Sequence, residues 1–312
     1  MDNRIFLPVV TGATATGKTA CAIELCRMIG GEVVSADSMQ LFRGMEILSA
    51  VPSAREQRGI AHHMVGIAPP SAAFSAATYR DMAAKAIAEI LARKKQPVLC
   101  GGTGLYIDAV TKPMRFSDKS DQVLREELHA IAGAPDGRER LHAQLRAVDP
   151  ESAMRLHPND VRRVARAIEV YRLTGITLTE HNRRDAARKG EYNERIFALD
   201  IPREQLYARI DRRVDEMIEH GLLDEVRALM QLSEDHPTAI QAIGYKEIAS
   251  ALRGEMPLSE AIVQMKQATR NYAKRQLTWL KRDARVIWID ASECSASDAA
   301  RIIYEKIMED TL

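Results

Sequence analysis

The sequence predicts an α/β protein: a parallel sheet core wrapped by helices, with an all-helical domain inserted between two of its strands. Three observations carry this. Short β-rich runs bounded by turn residues recur at residues 4–11, 32–36, 97–101, 195–201 and 285–290,. Helical patterns separate the early runs, the alternation that builds parallel sheets. Between residues 116 and 194 the strand signal disappears, and helix-period stretches alternate with breakers such as Gly133-Ala134-Pro135-Asp136-Gly137,.

The first run contains Pro8, which cannot donate to a strand ladder, so Pro8 is expected at the strand's start and not its middle,. Residues 202–281 read as helical again before β returns at 286–289. The expected division is therefore a core of residues 1–115 and 195–312, including the C-terminal helices, and an insertion of residues 116–194.

At 312 residues and 46% hydrophobic content the chain can bury a substantial core,. Its charges nearly cancel, to +1, so the whole-chain balance points to no polyanionic partner,. Locally the picture differs. Residues 155–189 hold nine Lys or Arg against four acids, and residues 266–285 hold seven against one. Solvated helix faces would explain such runs; a nucleic-acid backbone would use them. Cys21, Cys26, Cys100 and Cys294 show no paired CxxC spacing, which argues against a zinc site or disulfide framework and fits a reducing cytoplasm,. No apolar run approaches membrane-spanning length, so no membrane partner is expected. The adjacent His62 and His63 cannot share one helical face as metal ligands do, and a packing or turn role is expected,.

The most specific motif is Gly12-Ala13-Thr14-Ala15-Thr16-Gly17-Lys18-Thr19, which fits G-x-x-x-x-G-K-[ST], follows a β run and opens a helical pattern,. Its glycines let backbone N–H groups converge on phosphate oxygens, Lys18 adds a charge, and the Thr19 hydroxyl can hold Mg²⁺. The core is therefore P-loop NTPase-like, and a diphosphate is the least ligand implied. ATP hydrolysis is disfavoured, because the later apolar run Pro97-Val98-Leu99-Cys100 leads into Gly101-Gly102-Thr103-Gly104 and not into a metal-organising Asp,. Asp37 closes the second β run, where the carboxyl ends of parallel strands line the ligand crevice. It could act as a general base, or cap a turn.

The phosphate loop, Asp37-Ser38-Met39-Gln40, Gly101-Gly102-Thr103-Gly104-Leu105-Tyr106 and His157-Pro158-Asn159-Asp160 resemble the tRNA dimethylallyltransferase family. So do Ala242-Ile243-Gly244-Tyr245-Lys246-Glu247 and the stretch from Gln267-Ala268-Thr269-Arg270 to Trp279, in the family's order over nearly the whole chain. The resemblance implies that the loop holds dimethylallyl diphosphate, and that N6 of the adenosine 3′ of the anticodon receives the prenyl group. It implies Asp37 as general base, Thr19 with Mg²⁺ at the departing pyrophosphate, and Arg209 on the diphosphate, with Arg212 and Arg213 beside it. It assigns tRNA contacts to Asp37, Ser38, Met39, Gln40, Thr103, Gln241, Gly244, Tyr245 and Lys246. Arg162, Arg163 and Arg166 of the insertion, and Lys274, Arg275, Gln276 and Lys281 of the late helix, join them. Tyr272 and Trp279, seven apart, are expected as core anchors. The partners so implied are the tRNA anticodon stem-loop, its target base flipped out, and dimethylallyl diphosphate, acting on a monomer.

The sequence departs from the family pattern at Ala13, where proline is expected, and at Arg162, where glutamine is usual. Residues 46–52, Glu-Ile-Leu-Ser-Ala-Val-Pro, replace Asp-Ile-Gly-Thr-Ala-Lys-Pro, a change bearing on prenyl-pocket or RNA contacts. Two other classes share the motif: a small-molecule kinase, which would not need the basic stretches, and a non-catalytic RNA-binding protein with a structural nucleotide.

Overall fold

The computed structural model describes residues 4–114, 121–232 and 238–309. The strands are β1 (Ile5–Gly12), β2 (Gly31–Ser35), β3 (His62–His63), β4 (Gln96–Cys100), β5 (Tyr192–Asp200) and β6 (Val286–Asp290). Between β1 and β5 run α1 (Lys18–Ile29), α2 (Ala54–Gln57), α3 (Ala76–Ala92), α4 (Gly104–Thr111), α5 (Gln122–Gly133), α6 (Gly137–Val148), α7 (Pro150–Arg155), α8 (Val161–Thr174) and α9 (Leu178–Ala186). After β5 come α10 (Arg203–Glu219), α11 (Leu222–Gln231), α12 (Tyr245–Leu252), α13 (Leu258–Leu280) and, past β6, α14 (Ala296–Glu309). The chain divides into two compact units, Met1–Thr111 with Tyr192–Leu312, and Lys112–Glu191. The expected boundary at residues 115 and 116 lies outside the described residues.

In the first unit all strands pair in parallel, in the order β3-β2-β4-β1-β5-β6. Alternation along each strand feeds two cores, one per face. Val9, Val34, Leu99 and Ile196 join one cluster with Tyr79 and Ile87 of α3 and Ile248 of α12. Val10, Val33, Val98 and Phe197 join the other, with Cys21 and Leu25 of α1 and Ile303 of α14. This is a three-layer α/β/α arrangement.

Two strand expectations need correction. Pro8 lies inside β1, whose pairing with β5 runs from Ile5 to Gly12. It is tolerated because its nitrogen faces β4. Phe6 and Val10, two residues either side, both turn their carbonyls that way, to the Gln96 side-chain amide at 3.0 Å and the Gly101 N–H at 3.2 Å. The β4 ladder itself begins only at Val9, so no ladder bond is lost at Pro8,. The other correction is β3, a two-residue edge strand beside Val33 and Val34 that shows no alternation of its own. There His63 Nε2 meets Glu32 Oε2 at 2.7 Å, and Arg93 joins the same carboxylate at 2.6 Å.

Among the described residues the second unit is built from helices, α5 to α9, around Leu128, Leu141, Leu145, Val164 and Ile168. Asp149 begins α7 by accepting the Ser152 N–H at 3.1 Å, and also accepts the Thr179 N–H and hydroxyl at 3.0 and 2.7 Å, tying α9 to α7,. Glu169 of α8 is fully buried between Arg125 and Arg166, at 2.8 and 2.7 Å.

Candidate active site

The carboxyl ends of the strands surround a cavity of about 1350 Å³ within the first unit. Its floor is the turn from β1 into α1. Gly12 has φ +147°, and a Cβ there would lie 2.7 Å from Thr16 Oγ1 and 2.9 Å from the Leu199 carbonyl, so only glycine fits,. Gly17 (φ +90°) starts the helix with its N–H groups turned toward the loop,. The Ala13 carbonyl accepts from the Thr16 N–H and hydroxyl at 3.3 and 2.9 Å and from Lys18 Nζ at 3.4 Å, which folds the loop on itself. Ala13, standing where proline was expected, is fully buried.

Charge is concentrated above this loop. Burial, and then the positive charge of Arg213, lower the pKa of Lys18, while Asp37 acts the other way. Burial likewise lowers that of Arg213, opposed by Asp37, Glu216 and Glu56. Two cations that burial disfavours, set beside helix N–H groups, favour a multiply charged anion. Arg209 and Arg212 also line the cavity. Sequence reasoning named Arg209, and the structure adds Arg213 as the arginine coupled to both Lys18 and Asp37. A signal for it existed: Arg213 falls seven residues after Leu206 and three after Ile210, on the buried stripe of α10,.

Asp37 follows β2 and lines the same cavity. Its Oδ1 accepts the Met39 N–H at 2.9 Å, so the turn expectation holds, and the carboxylate still faces the cavity with Lys18 and Arg213. The turn is fixed by Thr103, whose hydroxyl accepts the Ser38 N–H at 3.1 Å and whose N–H reaches the Ala36 carbonyl at 3.1 Å. Gly101 permits this approach, since a Cβ there would lie 2.3 Å from the Ala36 carbonyl. At the end of β4 stands Cys100, where an ATPase would need a carboxylate, its thiol pushed up to about 12 by burial.

Residues 46–52 form another wall, with Met39, Met217 and Ile243 lending apolar surface. Sequence reasoning missed what holds that wall. Glu225 of α11 accepts the Ile47 and Leu48 N–H groups at 2.8 and 2.7 Å, and Gln40 donates to the Ser49 and Ala50 carbonyls at 3.4 and 3.3 Å. Tyr272 was expected in the core. It lines the cavity instead, its phenol pushed up to about 12 by burial and then by the charge of Asp37, with Arg275 over its ring at 5.6 Å. Trp279 packs as expected, against Gly104, where a Cβ would lie 2.4 Å from the indole.

The remaining RNA candidates divide by exposure. Gln241 and Lys246 are exposed, as are Lys274, Arg275 and Lys281 on α13. Gly244 is buried at φ +99°, a Cβ there meeting Met265 and Leu48 within 3 Å, and Tyr245 packs on the adjoining core. Gln276 is buried, its amide bonded to protein at both ends. In the second unit Arg162 is exposed, Arg163 pairs with Asp160 at 2.5 Å, and Arg166 is held by Glu169. No group of three His, Cys, Asp or Glu suited to a metal occurs among the described residues, and no helix there is long and apolar enough to cross a membrane.

The site therefore combines a phosphate-loop turn with two buried cations, an apolar wall and a carboxylate. The family model described as IPP transferase matches residues 40–283. A tRNA dimethylallyltransferase of Desulforudis audaxviator is 47% identical over 307 residues, covering 97% of this chain and 98% of its own. One from Geobacter metallireducens is 46% identical, covering 93% and 94%. The crystal structure of the tRNA isopentenylpyrophosphate transferase of Bacillus halodurans superposes with a TM-score of 0.72 at 39% identity, covering 98% of each chain. A eukaryotic dimethylallyltransferase captured acting on tRNA superposes with a TM-score of 0.83 at 27% identity, covering 99% of this chain and 80% of that one. With the phosphate loop, Asp37 and the cavity in their places, this likeness over nearly the full length identifies the chain as a member of the tRNA dimethylallyltransferase family, with the prenyl-transferring activity of that family.

Proposed function

We propose that the chain transfers the dimethylallyl group of dimethylallyl diphosphate to N6 of the adenosine immediately 3′ of the tRNA anticodon, releasing pyrophosphate. The observation that carries this reading is the one cavity shared by Lys18, Arg213 and the loop N–H groups with Asp37 and an apolar wall. An allylic C–O bond breaks readily once its diphosphate is neutralised, but an aromatic amine is a poor nucleophile. The loop N–H groups, Lys18 and Arg213, with Arg209 beside them, bind the diphosphate and offset the charge that grows on it as the bond breaks. The apolar wall holds the prenyl group and excludes water. Asp37 accepts the N6 proton as the N–C bond forms, and the Thr103 bonds to its turn keep it oriented.

The Thr19 hydroxyl, at the cavity edge, fits Mg²⁺, which takes few protein ligands and completes its shell with phosphate and water oxygens,. Bound there, Mg²⁺ would supply further charge neutralisation for the diphosphate. The RNA is gripped by Ser38, Met39, Gln40, Gln241, Lys246, Lys274, Arg275 and Lys281 of the first unit and by Arg162 and Arg163 of the second, the exposed cations engaging phosphates. Incubation with radiolabelled dimethylallyl diphosphate and bulk tRNA, followed by nuclease digestion, tests the reading. Label should appear in N6-modified adenosine from the anticodon loop. Label absent from RNA, or found in another nucleoside, would overturn it.

A further inference from the structure

Gln276 occupies an unusual position on α13. It follows the exposed cations Lys274 and Arg275, yet its own side chain is 6% exposed. Both ends of its amide are engaged: Oε1 accepts the Thr14 N–H of the phosphate loop at 2.9 Å, and Nε2 donates to the Gly102 carbonyl at 2.9 Å. A Cβ on Gly102 would come within 2.2 Å of that same Nε2, so the missing side chain there is the space the amide fills. From Gly102 the chain passes to Thr103, whose hydroxyl accepts the Ser38 N–H beside Asp37. One amide thus bridges the loop that cradles the leaving group and the loop that orients the base.

The geometry points to Gln276 as a positioning residue that sets the phosphate loop in register with the Asp37 turn, and not as a contact to RNA. The inference rests on the proposed roles of the phosphate loop and Asp37. An amide suits the place because it presents an acceptor and a donor from one planar end and stays neutral at every working pH. Both partners are backbone groups, the Gly102 carbonyl buried and the Thr14 N–H partly so, where an unmet hydrogen bond is costly,. A methionine would fill the space with neither bond. A glutamate would keep the bond from Thr14 but set an anion against the Gly102 carbonyl, until protonation restored an O–H donor.

The test uses full-length Gln276→Met and Gln276→Glu, with folding checked by thermal melts. Both variants should retain tRNA affinity within about twofold and keep its salt slope. Both should lose on the order of 10- to 100-fold in kcat/KM for dimethylallyl diphosphate at saturating tRNA. Gln276→Glu should recover toward wild type as pH falls from 9 to 6, measured relative to wild type at each pH, while Gln276→Met should not. Weakened tRNA binding with unchanged diphosphate kinetics would overturn the inference, and so would wild-type behaviour in both variants. If wild type transfers no prenyl group, the functional reading fails first, and calorimetric titration with inorganic pyrophosphate then decides: weaker binding to the Met variant supports the bridge and equal binding refutes it. Should Gln276→Met not fold, the pH dependence of Gln276→Glu makes the same decision.

Discussion

At the scale of single residues, the proposed diphosphate cradle rests on Lys18 and Arg213, cations that burial disfavours until an anion joins them. Lys18→Ala should leave the fold intact and weaken pyrophosphate binding about 10- to 100-fold, since one charge-assisted contact from a loop is lost. Arg213→Ala should cost more than Arg209→Ala, because the Arg213 charge acts on both Lys18 and Asp37. Calorimetric titration with pyrophosphate ranks the three; equal losses at Arg209 and Arg213 would return the assignment to the whole arginine cluster. Sequence motifs found Lys18 and Asp37 because their roles are written in local spacing. Arg213 was named only as a neighbour of Arg209 and Tyr272 only as a core anchor, and Glu225 was missed because what distinguishes it is a partner far along the chain: it holds the backbone of Ile47 and Leu48, and nothing in the pattern around Leu222–Gln231 announces it.

At the scale of elements, alternation and helix period located the sheet and the helical unit, while their limits came from pairing. Strand β5 begins at Tyr192, before the expected Arg195, since its polar first residues are taken into the sheet by pairing with Ile5, Phe6 and Leu7. Within the helical unit, α5 and α8 are joined through Glu169. Burial alone would push its carboxyl up, but bonds from Arg166, the Asp121 N–H and Arg125 outweigh that and hold it below the ordinary glutamate range. A carboxylate lowered in the fold stabilises it above its unfolded pKa of about 4.3, and that contribution is lost as pH falls through the lower folded value. Glu169→Gln should therefore destabilise the protein by about 1–3 kcal/mol at pH 7, less than a wholly buried pair because both arginines are partly solvated. Melts of wild type and variant should converge only in acid, as pH falls below the unfolded value and through the lower folded one,. A gap that persists unchanged into acid would show that shape and not charge links these helices.

At the scale of the whole molecule, a net charge of +1 conceals cations suited to a polyanion. The structure sorts them: Arg166 is neutralised by Glu169, whereas Arg275 is exposed and sits over Tyr272 beside the cavity. Arg275→Ala should weaken tRNA binding and reduce its salt slope by about 1, with a smaller change at Arg163, which would have to give up its pairing with Asp160 to bind phosphate,. Unchanged slopes in both would make these stretches ordinary solvated faces. The central claim is that donor cradle and base act across one cavity, and single-turnover transfer by Asp37→Asn, with tRNA and dimethylallyl diphosphate both saturating, tests it most directly. Asparagine keeps the size of the side chain and an oxygen for the Met39 N–H but cannot take the proton,. The account predicts retained binding of both substrates, an unchanged melting temperature and a rate lower by about two to four orders of magnitude. A folded variant that turns over near the wild-type rate would contradict it.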